Sequence, residues 1–235
     1  MAPHRGGAVE EYTLFGDGIN YADVLTRRRE AYHEAALAAG RAAATREQEA
    51  GTPSIHDLER ALRLEEAPPL DAEDRAMFVD RVLSEAVTLD AYAAGDYPVV
   101  RSWAGTALDA QVVQDGAALE LICRPGAGER GGLLEKRLRF EEGGALSVTY
   151  RWEPTAFPAG SLFAPEISLA GGEGVDLAYT PAAELWSFPI TTIAKSEQGL
   201  DETLQGQSYT PRWRVAAGES RVDVVAGGGS EREMT

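Results

Sequence analysis

Between Tyr97 and Val225 the sequence alternates short β-prone runs with glycine- and proline-bearing turns, the pattern that most restricts how the chain can fold. Strands are predicted over residues 99–103, 106–114, 117–124, 133–140, 145–152, 161–169, 175–179, 185–193, 202–209, from Pro211 into Trp213-Arg214-Val215, and over 221–225. Strands that follow one another through short turns pair antiparallel, because a parallel neighbour requires a crossover of a dozen or more residues. Asp115-Gly116 stands between two of these runs as a hairpin signal, and Gly143-Gly144 is a second. The expected fold is mainly β, an antiparallel β-sandwich.

Residues 1–96 read differently. An alternating run over 7–15, with Ala8, Val9, Tyr12, Leu14 and Phe15 apolar, predicts a first strand. Residues 21–50 are rich in alanine, arginine and glutamate, all strong helix formers, and Gly51-Thr52-Pro53 would end a helix there. A second short helix is expected from the capping Ser54 to Leu62. Ala72, Met77, Phe78, Val82 and Leu83 are spaced for a helical face over 71–85. Thr88 as cap and Gly95 as stop frame one more short helix over 88–94. The division expected is 1–96 for the first strand and helical segment, 97–225 for the sandwich, and a glycine-rich, charged, disordered tail over 226–235.

Charge narrows the partners. With 38 acidic against 22 basic residues the formal charge is −16, so the surface repels nucleic-acid phosphates and anionic lipid and suits a neutral ligand. Cys123 is the only cysteine, which rules out an internal disulfide and a cysteine-built zinc site. No run approaches the ~18 apolar residues of a membrane span, and the first residues carry no apolar signal core. A soluble, cytoplasmic protein without cofactor or metal is expected.

Residues 184–213 carry more than a strand pattern. Trp186, Pro189, Ile190 and Thr192, then Ser196, Glu197 and Gly199, then Gln205, Gly206 and Ser208, and finally Pro211 and Trp213 occur in one order. That order resembles the C-terminal β-sandwich domain of glycoside hydrolase family 57, the α-amylase-like enzymes and 4-α-glucanotransferases. Upstream runs, including Arg5-Gly6-Gly7-Ala8, Ser54-Ile55-His56-Asp57 and Phe78-Val79-Asp80-Arg81-Val82-Leu83, resemble further landmarks of the same domain. The resemblance therefore spans nearly the whole chain. It implies a galactose-mutarotase-like supersandwich, an extended rather than helical Phe78–Leu83 segment, and a role in carbohydrate metabolism. It also implies that earlier strands and a catalytic barrel precede this point. The chain is then expected to be a split subunit, a truncated gene or a mis-started frame, with a separately encoded family-57 barrel as partner.

In that family both catalytic carboxylates belong to the barrel, and no part of this chain resembles it, so no catalytic residue is carried over. Glu166, Asp176, Glu184, Glu197 and Glu202 lie on or beside strands, but in so acidic a chain they read as solvated groups or turn caps. Glu166, within an apolar run, reads as a buried hydrogen-bond acceptor. A mutarotase-like epimerase would need a histidine acid, and His4, His33 and His56 all lie in the N-terminal part. Arg27, Arg28 and Arg29 read as ion-pair partners. The stronger functional expectation is a site for α-glucan or oligosaccharide. Sugar C–H faces stack on aromatic rings while polar side chains take the hydroxyls. Trp186, Trp213, Tyr209, Gln205 and Arg212 offer that mixture, set against the competing reading of tryptophans as core.

Overall fold

The computed structural model describes residues 1–16, 18–49, 63–128, 131–171, 175–196 and 199–226. Chain order after the N-terminal segment is β1 (Thr13–Leu14), β2 (Ile19–Asn20), α1 (Ala31–Glu49), β3 (Met77–Ser84), α2 (Leu89–Ala94) and β4 (Val99–Ser102). There follow β5 (Leu108–Asp115), β6 (Ala118–Pro125), β7 (Leu133–Phe140), β8 (Leu146–Trp152) and β9 (Ser161–Leu169). The last four are β10 (Val175–Thr180), β11 (Glu184–Ser196), β12 (Gly199–Arg214) and β13 (Glu219–Ala226). A six-stranded sheet runs β10-β13-β8-β7-β6-β5 and a five-stranded sheet runs β11-β12-β9-β3-β4, all neighbours antiparallel. The expected antiparallel sandwich is what forms, with hairpins at Asp115-Gly116 and Gly143-Gly144.

The two sheets enclose one aromatic core. Phe163 of β9 stacks on Trp152 of β8 with centroids 4.5 Å apart, and Tyr150 meets it edge-on at 5.0 Å. Trp103 and Trp213 belong to the same buried cluster. The outer face of the six-stranded sheet is instead a charged surface. One row reads Asp109, Arg124, Glu135, Arg151 and Glu219 across five strands, so each charge faces its opposite. The outer face of the five-stranded sheet is covered: Trp186, Phe188, Ile190, Leu83 and Ala164 pack with Val24, Val87 and Tyr92 into a second apolar cluster. All nine residues of β9 are consequently buried.

Four expectations need correction. Residues 71–85 are not a helix; the chain is irregular to Ala76 and then enters β3, an interior strand between β9 and β4. Helical spacing there was coincidental, because a strand buried on both faces is apolar at nearly every position. Residues 7–15 form only bridges, Ala2 with Ala8 and Val9 with Met77, before the two-residue β1. The first helix begins at Ala31, while residues 21–30 cross the sheet without regular structure. The strand over 202–209 and the one from Pro211 are a single strand, β12, whose hairpin with β11 absorbs a bulge at Ile190/Thr191. The helix expected over 54–62 and the tail beyond Ala226 lie outside the described residues.

The short helix α2 follows its local signals. Thr88 is extended, its hydroxyl accepts from the Ala91 N–H, and Gly95 closes the helix at φ 76. Thr88→Ala should lower stability by about 1 kcal/mol in urea unfolding. A loss below about 0.3 kcal/mol would mean that the cap is redundant with the packing of Tyr92.

Candidate functional site

Two charged networks are built from adjacent residues of one strand. Successive side chains of a strand point to opposite faces, and a bulge at Met77/Val79 with Phe78 at φ 64 sets the phase of β3. Asp80 therefore points between the sheets and Arg81 points out under α2.

On the outer side, Glu166 of β9 is fully enclosed. Its Oε2 accepts from Arg81 Nη1 at 2.7 Å and Tyr92 OH at 3.1 Å; its Oε1 accepts from Arg75 Nη1 at 2.9 Å and Ser208 Oγ at 2.7 Å. Arg75 also donates to Asp71, at 2.6 and 2.8 Å, and Asp71 in turn accepts from the Arg27 side chain at 2.7 and 3.0 Å and from its N–H at 2.8 Å. Arg81 Nε reaches Glu73 at 2.9 Å. The arginines Arg27, Arg75 and Arg81 thus balance Asp71, Glu73 and Glu166. Burial alone would push Glu166 up, but Arg81, Arg75 and Ser208 outweigh it and hold the carboxyl at about 2, below the ordinary 4.5. A carboxylate so stabilised and so fully occupied is no proton acceptor near neutral pH. The Tyr92 phenol is pushed well up, by burial first and by Glu166 second. Glu166 is the buried acceptor its apolar context predicted.

Between the sheets, Lys136 of β7 donates to Asp80 Oδ2 at 2.7 Å, Phe78 O at 2.8 Å and Gly6 O at 3.1 Å, and both charged side chains are wholly buried. This contact fastens residues 6–7 to β3 and β7.

The five residues expected to bind sugar do not converge. Along β12, Tyr209 and Trp213 turn toward the core between the sheets, while Arg212 turns to the opposite face. Trp213 is 3% exposed and donates from Nε1 to Pro181 O at 2.8 Å. On the outer face the Arg212 guanidinium lies over the Trp186 ring, 3.4 Å from its centroid, and pairs with the exposed Glu184 at 2.5 Å. Trp186 is 8% exposed. Gln205 lies further along the hairpin, donating to Thr192 Oγ1 at 2.8 Å. Arg212 and Trp213 do reach one common surface groove, lined with Glu85, Glu184, Arg214 and Ala182. A second groove lies between the N-terminus of α1 and β11. There Tyr32 OH donates to Ile193 O at 2.7 Å and His33 Nε2 approaches the same oxygen at 3.4 Å.

The other candidates are scattered. His33 is buried and also accepts the Glu30 N–H at Nδ1, His4 is exposed in a 3-10 turn, and His56 lies outside the described residues. Asp176 belongs to the other sheet, Glu202 is exposed at the hairpin, and Glu197 lies outside the described residues. Arg28 and Arg29 pair with Asp74 and Glu34 at the surface. Among the described residues no cluster of metal-ligating side chains occurs, and no helix is long and apolar enough to cross a membrane. Arg75, Arg81, Asp71 and Tyr92 were not singled out from sequence. The available signal was the Asp80-Arg81 pair, two charges inside an apolar run.

Comparison with known proteins agrees with this architecture. The profile of the family described as alpha-amylase/4-alpha-glucanotransferase, C-terminal, matches residues 1–180 and 170–224. The 4-alpha-glucanotransferase of Thermococcus kodakarensis is 31% identical over 88% of this chain and 34% of its own length. The alpha-amylase of Pyrococcus abyssi is 26% identical over 89% of this chain and 34% of its own. The crystal structure of 4-alpha-glucanotransferase from Thermococcus litoralis superposes with a TM-score of 0.67 at 25% identity, covering 97% of this chain and 37% of that one. The chain therefore spans about a third of the length of these relatives. With its sandwich, its matched landmarks and this span in agreement, the chain belongs to the alpha-amylase/4-alpha-glucanotransferase C-terminal domain family.

Proposed function

We propose that this chain is a non-catalytic accessory module of α-glucan metabolism, which holds α-glucan or oligosaccharide and seats against a catalytic barrel. The observation that carries the non-catalytic reading is Glu166. The carboxylate at the heart of the covered sheet spends its hydrogen-bonding capacity on Arg75, Arg81, Tyr92 and Ser208, leaving nothing to act on a glycosidic bond. Sugar contact falls to the groove beside Arg212, where Glu184 and Arg214 offer charged donors and acceptors to hydroxyls. Trp186 serves there by holding the Arg212 guanidinium flat. Trp213 floors the groove, and Tyr209 and Gln205 support the same strand. The single, buried Cys123 leaves no disulfide dependent on an oxidising compartment and supports a cytoplasmic setting.

The purified chain should release no reducing ends from starch but should be retarded in amylose-containing native gels. Arg212→Ala and the exposed Glu184→Gln should each weaken that retardation, with the apparent Kd rising about tenfold. Starch cleavage by the chain alone would overturn the accessory reading. Unchanged mobility of the native protein in amylose would overturn glucan binding.

A further inference from the structure

We propose that the groove beside Arg212 takes an α-1,4-glucan by one edge only, the adjacent 2- and 3-hydroxyls of its internal units, each such pair held by an arginine and its partner glutamate. This edge preference rests on the reading of that groove as the glucan site. Two ion pairs border the groove: Arg212 Nη2 meets Glu184 Oε1 at 2.5 Å, and Arg214 Nη1 donates to Glu85 Oε2 at 2.9 Å.

Stacking of a pyranose ring needs an open aromatic face, and the groove offers none. Trp213, the one aromatic residue in its lining among the described residues, is buried and turned toward the core. Trp186 has one face under the Arg212 guanidinium and Tyr92 beside it, with ring centroids 5.5 Å apart. The uncharged lining is otherwise aliphatic, from Leu162, Pro181, Ala182 and Ala217. Selectivity in this groove of about 570 Å³ therefore comes from hydrogen bonds between the charged side chains and sugar hydroxyls.

Those side chains have capacity to spare. Glu184, Glu85 and Arg214 are 66%, 57% and 71% exposed, and one ion-pair contact uses only part of the N–H groups of a guanidinium and of the lone pairs of a carboxylate. Two guanidinium groups against two carboxylates leave the groove without net charge, which suits a neutral polyol and gives a phosphorylated or uronic sugar no advantage. A guanidinium fork matches two oxygens side by side, and a carboxylate accepts from two neighbouring hydroxyls. In an internal unit of an α-1,4-glucan, O1 and O4 are spent on linkages and O5 on the ring. The hydroxyls at C2 and C3 are then the only adjacent pair, and the hydroxyl at C6 stands alone on another edge. Arg212 and Arg214 stand two residues apart on β12, hence on one face with Cα atoms about 7 Å apart, so one chain can present diols of different units to both. A branch at O6 leaves every such diol free.

Titration calorimetry of the whole chain should separate amylose, glycogen, amylose methylated at O6 and amylose methylated at both O2 and O3. Per glucose unit, glycogen and the O6-methylated polymer should bind within about threefold of amylose, while the O2,O3-methylated polymer should bind at least about tenfold more weakly. Arg214→Ala and Glu85→Gln, both at exposed side chains, should each weaken amylose binding about tenfold. Both should leave the residual affinity for the O2,O3-methylated polymer unchanged, because its blocked diol no longer engages those side chains. Equal loss on O6 methylation, an O2,O3-methylated polymer that binds as well as amylose, or variants that weaken both polymers alike would overturn the diol contact and leave the glucan site standing. No binding of amylose at all would overturn the glucan site and the diol contact with it.

Discussion

Glu166→Ala should lower the unfolding free energy by about 3–5 kcal/mol, because it takes from two buried guanidinium groups the counter-charge they share. Arg75 keeps Asp71 and Arg81 keeps Glu73, so neither arginine is left without any partner, but both lose their shared bridge to β9. The bridge also joins β3 to β12 through Ser208 and to α2 through Tyr92, so the loss should be global rather than confined to one loop. Glu166→Gln, which keeps the shape and removes the charge, should fall in the same range. Urea unfolding followed by tryptophan fluorescence is the measurement. A change below about 1 kcal/mol in Glu166→Ala would show that the network relaxes around the gap.

The same carboxylate sets an acid limit. Its folded pKa of about 2 lies below the ordinary 4.5, so the folded state binds the proton less tightly than the unfolded chain. Its stabilisation is present above the unfolded value and is lost as pH falls from about 4.5 toward 2. The shift corresponds to about 3 kcal/mol. Glu166→Gln should flatten that part of the stability profile, and a profile unchanged by the substitution would assign acid unfolding to other carboxylates.

What could be read from the sequence was whatever local chemistry decides. The hairpins at Asp115-Gly116 and Gly143-Gly144, and the helix between Thr88 and Gly95, carry their turns and caps within a few residues. Residues 71–85 misled because their environment is supplied from far away: Arg81 is matched by Glu166 and Asp80 by Lys136. No local period records such partners. The sugar-site candidates illustrate a second limit. Alternation along β12 separates Tyr209 and Trp213 from Arg212 with certainty. Which face would be open cannot be read from alternation when, as here, helix and loop cover the outer face of the sheet. The family landmarks survived this difficulty because they are matched as an order of residues, without any decision about faces. The resemblance implied an extended Phe78–Leu83 segment where the periodicity implied a helix, and the strand is what forms.

Lys136→Ala should be as damaging as the loss of Glu166, about 3–5 kcal/mol, and its deficit too should depend on pH, through a different carboxyl group. Asp80 is pushed above the ordinary 3.8 by burial, and the attraction of Lys136 only partly pulls it back. An acid whose folded pKa is raised binds its proton more tightly in the folded state, so its contribution is favourable at low pH and is lost as pH rises through the folded value. Removing Lys136 removes the pull, raises Asp80 further, and leaves Phe78 O and Gly6 O without their donor. The deficit of Lys136→Ala relative to the native chain should therefore be largest near neutrality and should shrink on acidification, as Asp80 takes up a proton instead of holding a buried charge. Pairing the change with Asp80→Asn should recover part of the loss at neutral pH, a coupling of about 1–3 kcal/mol, while the two orphaned carbonyls keep the double variant below the native protein. Additive losses, or a deficit that is the same at pH 7 and near pH 4, would mean that Lys136 acts through its packing and its carbonyl bonds alone, with no contribution from its charge opposite Asp80.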